Sequence, residues 1–307
     1  MDDSGGMSYI VATEKLTKAY GSRPVVQDLD LRIPEGCVYG FLGPNGSGKS
    51  TTMKMLLSLI RPTAGEAHIM GRPMNRETRR ELLPRIGSLI ESPPGYAHLS
   101  GAENMRITQR LLGISNEQVE FAVRTVRMEN QMNKKVREFS LGMKQRLGIA
   151  MALARQPKLL ILDEPTNGLD PAGIEEIRGL MRRLADGGVT VMVSSHLLGE
   201  VDKTASVLGI LSQGRMIFQG SRSELFSAAT PDVLIECDSP ERAQRILAPN
   251  YFAALENATV RLPGIDDCTI ASAVTELVAE RVGIHGVRRD EQTLEDVFMN
   301  LTAGGGL

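Results

Sequence analysis

Gly43-Pro44-Asn45-Gly46-Ser47-Gly48-Lys49-Ser50, with Thr51 behind it, closes the apolar run Val38–Leu42 and opens a segment, Ser50–Ile60, that reads as a helix. The glycines let the backbone curl until its N–H groups converge on a phosphate. A helix N-terminus directly behind them favours an anion. Lys49 adds a point charge for the phosphates, and the Ser50 hydroxyl is placed to ligate Mg²⁺. A flexible glycine turn is the bland alternative. Strand before, helix after and the Lys-Ser ending select a phosphate-binding loop instead. Strand, glycine loop and helix in this order put the chain among the α/β nucleotide folds.

A second motif supports the first. Leu159-Leu160-Ile161-Leu162-Asp163-Glu164 is an apolar strand that ends in two carboxylates. Desolvating charge is costly, so packing alone gives a buried strand no reason to end this way. A Mg²⁺–phosphate site does: Asp163 would face the metal's water shell, and Glu164 would polarise an attacking water as general base. A strand end reaching solvent would be a fair reading of this stretch in isolation.

Working outward, residues 9–40 alternate and turn like short antiparallel strands, punctuated by Gly21 and by Pro34–Gly36. Residues 92–155 carry few strand signals and several amphipathic stretches, which predicts a mostly helical insertion entered at Pro93–Gly95. Val189–Ser194 is a further strand candidate, with Ile174–Leu184 as the helix before it. Near Phe226–Asp232 the pattern restarts. Strands at Val233–Cys237, Ala258–Leu262 and Ile284–Arg288 and helices at Pro240–Leu247, Ala271–Val282 and Leu294–Leu301 make a compact α+β unit. The expected domains are therefore residues 9–225, with a helical subdomain at about 92–155, and residues 232–307.

With 307 residues, 42% hydrophobic and 23% charged, the chain has the composition of a globular protein large enough for one α/β domain and a smaller one. A net charge of −2 argues against a dedicated nucleic-acid binder. Cys37, Cys237 and Cys268 are odd in number and widely spaced, as reduced thiols are, with no disulfide framework. Met1–Ser8 lacks the apolar core of a signal peptide, and no apolar run approaches the roughly 20 residues needed to cross a bilayer. Work at a membrane would require another chain to supply the span.

Between the two motifs lies Phe139-Ser140-Leu141-Gly142-Met143-Lys144-Gln145-Arg146, followed by an apolar helix to Ala154. Here the chain resembles the ATP-binding cassette family, over about residues 9–222. The resemblance implies a P-loop NTPase fold: a RecA-like core, an antiparallel β subdomain and a helical insertion, with ATP and Mg²⁺ as ligands. It further implies that Ser140 and Gly142 contact the γ-phosphate held by a second ATP-binding subunit. An ordinary capped helix start would also explain Ser140. Leu141 stands where the family has glycine, and Met143 where it has glutamine.

Other positions follow the family one by one. Tyr20, in Lys18-Ala19-Tyr20-Gly21, resembles the aromatic that stacks on adenine, although a strand tyrosine is commonly just packing. Asn167-Gly168-Leu169-Asp170 resembles the loop that crosses a dimer seam through Asp170; a glycine turn opening the next helix is its plain alternative. His196, after Ser194-Ser195, resembles the switch histidine that senses the γ-phosphate. In Gly87-Ser88-Leu89-Ile90-Glu91-Ser92-Pro93, Glu91 occupies the place of the family's Mg²⁺-touching glutamine, against the alternative of a solvated loop acid. Ile-Glu-Ser-Pro together with Phe-Ser-Leu-Gly-Met resembles the bacitracin-resistance and lantibiotic self-immunity branch. Thr293-Leu294-Glu295-Asp296-Val297-Phe298 resembles the closing segment of ATPases in drug- and lipid-exporting systems with separate membrane subunits, and an amphipathic final helix explains it equally well.

The resemblance implies an ATPase subunit of an exporter at the cytoplasmic face of the cell membrane, working as a homodimer on a separate transmembrane permease subunit, with no nucleic-acid partner. Two competing classes share the motor. Soluble cassette ATPases of ribosomes or DNA usually carry two cassettes, coiled-coil arms or zinc knuckles, and this chain has one cassette and no cysteine pair. Importer ATPases differ less; Glu91 and the short C-terminal unit tilt the expectation to export.

Overall fold

The computed structural model describes residues 8–91, 93–196, 199, 204–227 and 231–290. The expected helix Leu294–Leu301 and the segment Thr293–Phe298 lie outside the described residues. The chain divides into two compact units, Met1–Ser221 and Arg222–Leu307.

In the first unit the opening residues form an antiparallel sheet. β1 (Tyr9–Tyr20) pairs with β2 (Arg23–Leu29), β3 (Arg32–Pro34) and β5 (Ala64–Ile69), and β6 (Arg72–Pro73) pairs with β5. The second sheet has six strands and is parallel but for one edge: β7 (Ile86–Leu89), β8 (Leu159–Asp163), β9 (Thr190–Ser195), β4 (Val38–Leu42), β10 (Val207–Ser212) and, antiparallel, β11 (Arg215–Ser221), in that spatial order. Every residue of β4, β8 and β9 is buried. Strands covered on both faces read as continuous apolar runs, which is why the first two stand out in the sequence.

Helix α1 (Lys49–Leu56) joins the two sheets: Met53, Met55 and Leu56 share one core with Ile10 and Val11 of β1, Ile69 of β5 and Phe41 of β4. It stops short of the expected Ile60 because Ser58 turns left-handed at φ 54. After the single turn α2 (Arg79–Leu82), the predicted insertion is helical: α3 (Gly101–Leu112), α4 (Asn116–Thr125) and α5 (Leu141–Leu153). Ser100 with Glu103, and Ser115 with Gln118, close capping boxes at the first two. α6 (Pro171–Asp186) starts earlier than the expected Ile174, because Asp170 caps it and Pro171 fits a first helical position.

Helix α5 comes close enough to β7 that only glycine fits between them. A methyl at Gly87 would stand 2.4 Å from the Ala152 carbonyl oxygen, and one at Gly148 would stand 3.0 Å from Leu89 Cδ1. This contact ties the helical insertion to the edge of the parallel sheet.

In the second unit, α7 (Arg222–Ser227) precedes β12 (Val233–Cys237), α8 (Pro240–Leu247), β13 (Ala254–Glu256), β14 (Thr259–Leu262), α9 (Asp267–Ala279) and β15 (Ile284–Arg289). The antiparallel sheet order β13-β14-β12-β15 is that of the split βαβ, or ferredoxin-like, motif. Val233, Ile235, Val260 and Leu262 face Ala243, Leu247, Ala273 and Leu277 of the two long helices. The reverse face is polar: Arg261 pairs with Asp232, Glu256 and Asp290, and Arg288 with Glu236. Helix α9 begins before the expected Ala271, because the Asp266 side chain accepts the Thr269 N–H at 2.8 Å.

Replacing Gly87 by alanine drives a methyl against a backbone carbonyl that no rotamer change can move. Gly87→Ala is expected to lower stability by about 1–3 kcal/mol, the usual range for overpacking, read as a shift in the urea midpoint. Ser88→Ala, one residue along and on the exposed side of the strand, should move it far less.

Candidate active site

The parallel order sets the site. β4 and β8 both flank β9, so their carboxyl ends, where Gly43, Asp163 and His196 follow, meet at one edge of the sheet. Register pairs Phe41 with Ser194, and Ser194 with Asp163.

Residues 43–50 form a cradle built for an anion. Gly43 (φ 155), Gly46 (φ 81) and Gly48 (φ 108) all adopt backbone that favours glycine. A methyl at Gly43 would lie 2.3 Å from the Leu211 carbonyl and 2.6 Å from Ser47 Oγ. Lys49 is only 5% exposed, and its Nζ donates to the carbonyls of Gly43 at 2.7 Å and Pro44 at 3.3 Å. Burial pulls its ammonium below the usual lysine range, against the charges of Glu164 and Asp163. Ser47 Oγ is buried without a hydrogen-bond partner. An orphaned hydroxyl beside a lysine at a helix N-terminus fits a polyphosphate.

The two carboxylates separate in role through their surroundings. Asp163 is 6% exposed and its Oδ1 accepts the Ser194 hydroxyl at 2.6 Å. The same hydroxyl oxygen accepts the Glu164 N–H at 2.9 Å. Glu164, in left-handed backbone (φ 49), points the other way, with Oε2 2.5 Å from His196 Nδ1 and Oε1 3.8 Å from Lys49 Nζ. An ionised carboxylate only accepts, so Nδ1 of the imidazole donates in this pair. Among the described residues no cluster of three or more His, Cys, Asp or Glu is arranged to hold a metal. A divalent cation here would rest on the hard oxygens of Ser50 and Asp163 together with phosphate oxygens, a donor set that suits Mg²⁺.

The remaining expected residues lie in other places. Ser140, Gly142 and Asp170 line a separate cavity of about 680 Å³ with Arg127 and Arg146, and no residue of the phosphate loop lines it. Ser140 caps α5 by accepting the Met143 N–H at 3.2 Å, and Asp170 caps α6 by accepting the Gly173 N–H at 3.1 Å. Capping occupies a lone pair of Ser140 and leaves its O–H to donate. Tyr20 is 55% exposed, with Lys18 Nζ 4.9 Å from its ring centroid. Glu91 pairs through its carboxylate with Lys54 of α1. Ser194 and Lys54 were not picked out by the sequence reading. A serine directly after the apolar run Val191–Val193 was the available signal for Ser194. For Lys54 there was none, because its partner lies 37 residues away.

Known proteins place this geometry. The ABC transporter family profile matches residues 26–167. The bacitracin transport ATP-binding protein BcrA of Enterococcus faecalis is 38% identical over 306 residues, 98% of this chain and 99% of that protein. This chain belongs to the ABC transporter ATP-binding family. The lantibiotic transport ATP-binding protein SrtF of Streptococcus pyogenes is 44% identical over 206 residues, 67% of this chain and 88% of that one. Among solved structures, the dimeric post-hydrolysis state of the ATP-binding cassette MJ0796, bound to ADP and Pi, superposes with a TM-score of 0.62 at 26% identity, covering 69% of this chain and 98% of that one. As an ABC ATP-binding subunit the chain binds and hydrolyses ATP, and such subunits dimerise and work with transmembrane partners. Among its described residues no helix is long and apolar enough to cross a membrane.

Ser194 satisfies two buried groups of this ABC subunit at once. Ser194→Ala leaves Asp163 Oδ1 and the Glu164 N–H without that partner, and is expected to cost about 1–3 kcal/mol of stability and to slow ATP turnover. Ser194→Thr, which keeps the hydroxyl, should recover most of both. Urea melts and ATPase rates on the purified chain check it.

Proposed function

We propose that this chain powers an exporter of antibiotic-like compounds, from the cytoplasmic face of the membrane, through a separate transmembrane permease. The end-to-end similarity to a bacitracin transport ATP-binding protein carries the proposal. Two copies of the chain would sandwich two ATP molecules, each lying between the phosphate loop of one chain and Ser140 and Gly142 of the other, with Asp170 at the seam. The separation of the Ser140–Asp170 cavity from the chain's own phosphate loop supports this reading.

Within each site residues 43–51 hold the phosphates: the backbone N–H groups of Gly43, Pro44-flanked Asn45, Gly46, Ser47 and Gly48 surround them, and Lys49 leaves the Gly43 carbonyl to pair with them. Tyr20 stacks on adenine. Ser50 and Asp163 would hold Mg²⁺, with Glu91 as its third protein neighbour. Bound there, Mg²⁺ would neutralise charge between the β- and γ-phosphates. Glu164 takes the proton of the attacking water as general base, and His196, paired with Glu164, senses the γ-phosphate. Glu91, on the loop between the sheet and the helical insertion, relays nucleotide state to the permease.

Glu164→Gln removes only the base. It is expected to keep ATP binding and to lose about 10²–10⁴ in turnover, with a dimer that persists in ATP. Lys49→Ala should lose ATP binding itself, and His196→Ala should slow turnover at saturating ATP while binding stays. Turnover at the wild-type rate in Glu164→Gln would remove Glu164 from the role of base. Purifying the chain from membranes and finding no polytopic protein with it would count against the exporter.

A further inference from the structure

Glu91 is a glutamate in left-handed backbone, at φ 67, a conformation that favours glycine. Its carboxylate lies 2.5 Å from the Nζ of Lys54. Lys54 stands one helical turn beyond Ser50 on α1, so the two side chains share a face, their Cβ atoms about 5–6 Å apart. The hydrogen bond that Lys54 donates to Glu91 is the main reason its ammonium is held above the usual lysine range, and the charge of Asp163 acts on it in the same direction. Lys54 therefore shares a helix face with Ser50, one of the two residues proposed above for the metal position. The pair is open to water, Lys54 31% and Glu91 66% exposed. Exposed ion pairs do little for stability, so this one is cheap to break. What it does is fix where a carboxylate waits.

We propose that Lys54 is a positioning residue that parks the Glu91 carboxylate beside the metal position and releases it when Mg²⁺ arrives with nucleotide. The inference rests on the placement of Glu91 at the metal, proposed above. A glutamine in this loop would have no charge to exchange between the two cations. A carboxylate does, and the exchange ties movement of the loop to occupancy of the site. While Lys54 holds Glu91, it competes with the metal for it.

The test is metal affinity, not turnover. Mn²⁺ is titrated by electron paramagnetic resonance into the full chain saturated with a non-hydrolysable ATP analogue. Lys54→Met is expected to tighten Mn²⁺ binding about three- to tenfold, a coupling of ordinary size for neighbouring residues. In a Glu91→Gln background the same substitution should change it less than about twofold. Lys54→Arg, which keeps the cation, should keep wild-type affinity, and Lys54→Gln should behave as Lys54→Met. If Lys54→Met changes Mn²⁺ affinity by the same factor in both backgrounds, it acts only through its bulk charge and the parking role is overturned. If Glu91→Gln alone leaves Mn²⁺ affinity unchanged, the placement of Glu91 at the metal falls, and the parking role with it.

Discussion

A buried ammonium governs the nucleotide site. Lys49 is 5% exposed, and taking such a charge out of water is expensive unless the protein surrounds it with acceptors. Here the acceptors come from two directions. Carbonyls of its own loop, Gly43 and Pro44, supply one set, and Glu164, from the strand two positions away across the sheet, supplies the other. The second set exists only because β4, β9 and β8 run parallel and in register, so that their carboxyl ends reach one edge. Ser194, on the strand between, then ties Asp163 to the Glu164 backbone and lets the adjacent carboxylates face different neighbours. The glycines of the loop are the condition for all of this, since a methyl at Gly43 would lie 2.3 Å from the Leu211 carbonyl oxygen and 2.6 Å from Ser47 Oγ.

The same economy explains why one chain carries half of each expected site. The cavity formed by Ser140, Gly142 and Asp170 is built on the start of α5 and the start of α6, and both helix N-termini point their dipoles into a region lined by Arg127 and Arg146. Asp170 and Glu176 line it as well, Glu176 paired with Arg146, and the chain's own phosphate loop is not part of it. Caps at Ser140 and Asp170 make the two helix starts rigid. The Gly87 and Gly148 contacts hold α5 to the sheet edge. In the proposed dimer, a phosphate shared between two copies would meet preformed surfaces on both.

Legibility in the sequence followed burial and range of contact. β4, β8 and β12 were readable to the residue, because each is a short apolar run bounded by turn residues. β7 (Ile-Gly-Ser-Leu) was missed, since its glycine is chosen by the approach of α5 and its serine faces outward. β10 was missed for a related reason: Gly209 interrupts its apolar run because the ring of Tyr39 lies where a methyl would go. β11 alternates poorly, most of its residues being half-buried. Among site residues, the phosphate loop and the Asp163–Glu164 pair announce themselves, since their chemistry is written in adjacent positions. Ser194 and Lys54 act on partners 31 and 37 residues away, and only the fold makes them neighbours.

Leu141 shows how a departure from the family pattern is absorbed. It replaces a glycine at the head of α5 and is 42% exposed, so it adds apolar surface to the cavity that Ser140 lines. Its Cδ2 comes within 2.9 Å of where a methyl on Gly168 would stand, and Gly168 is left-handed at φ 74. Any side chain at 168 would meet both strain and collision. Leu169 in turn approaches the backbone of Gly142, with Cδ2 3.6 Å from the position of a methyl there. Two loops that a smaller residue would leave apart are packed together through a pair of leucines and a pair of glycines. Ser140 and Asp170 therefore line one cavity whose two sides touch through Leu141 and Leu169.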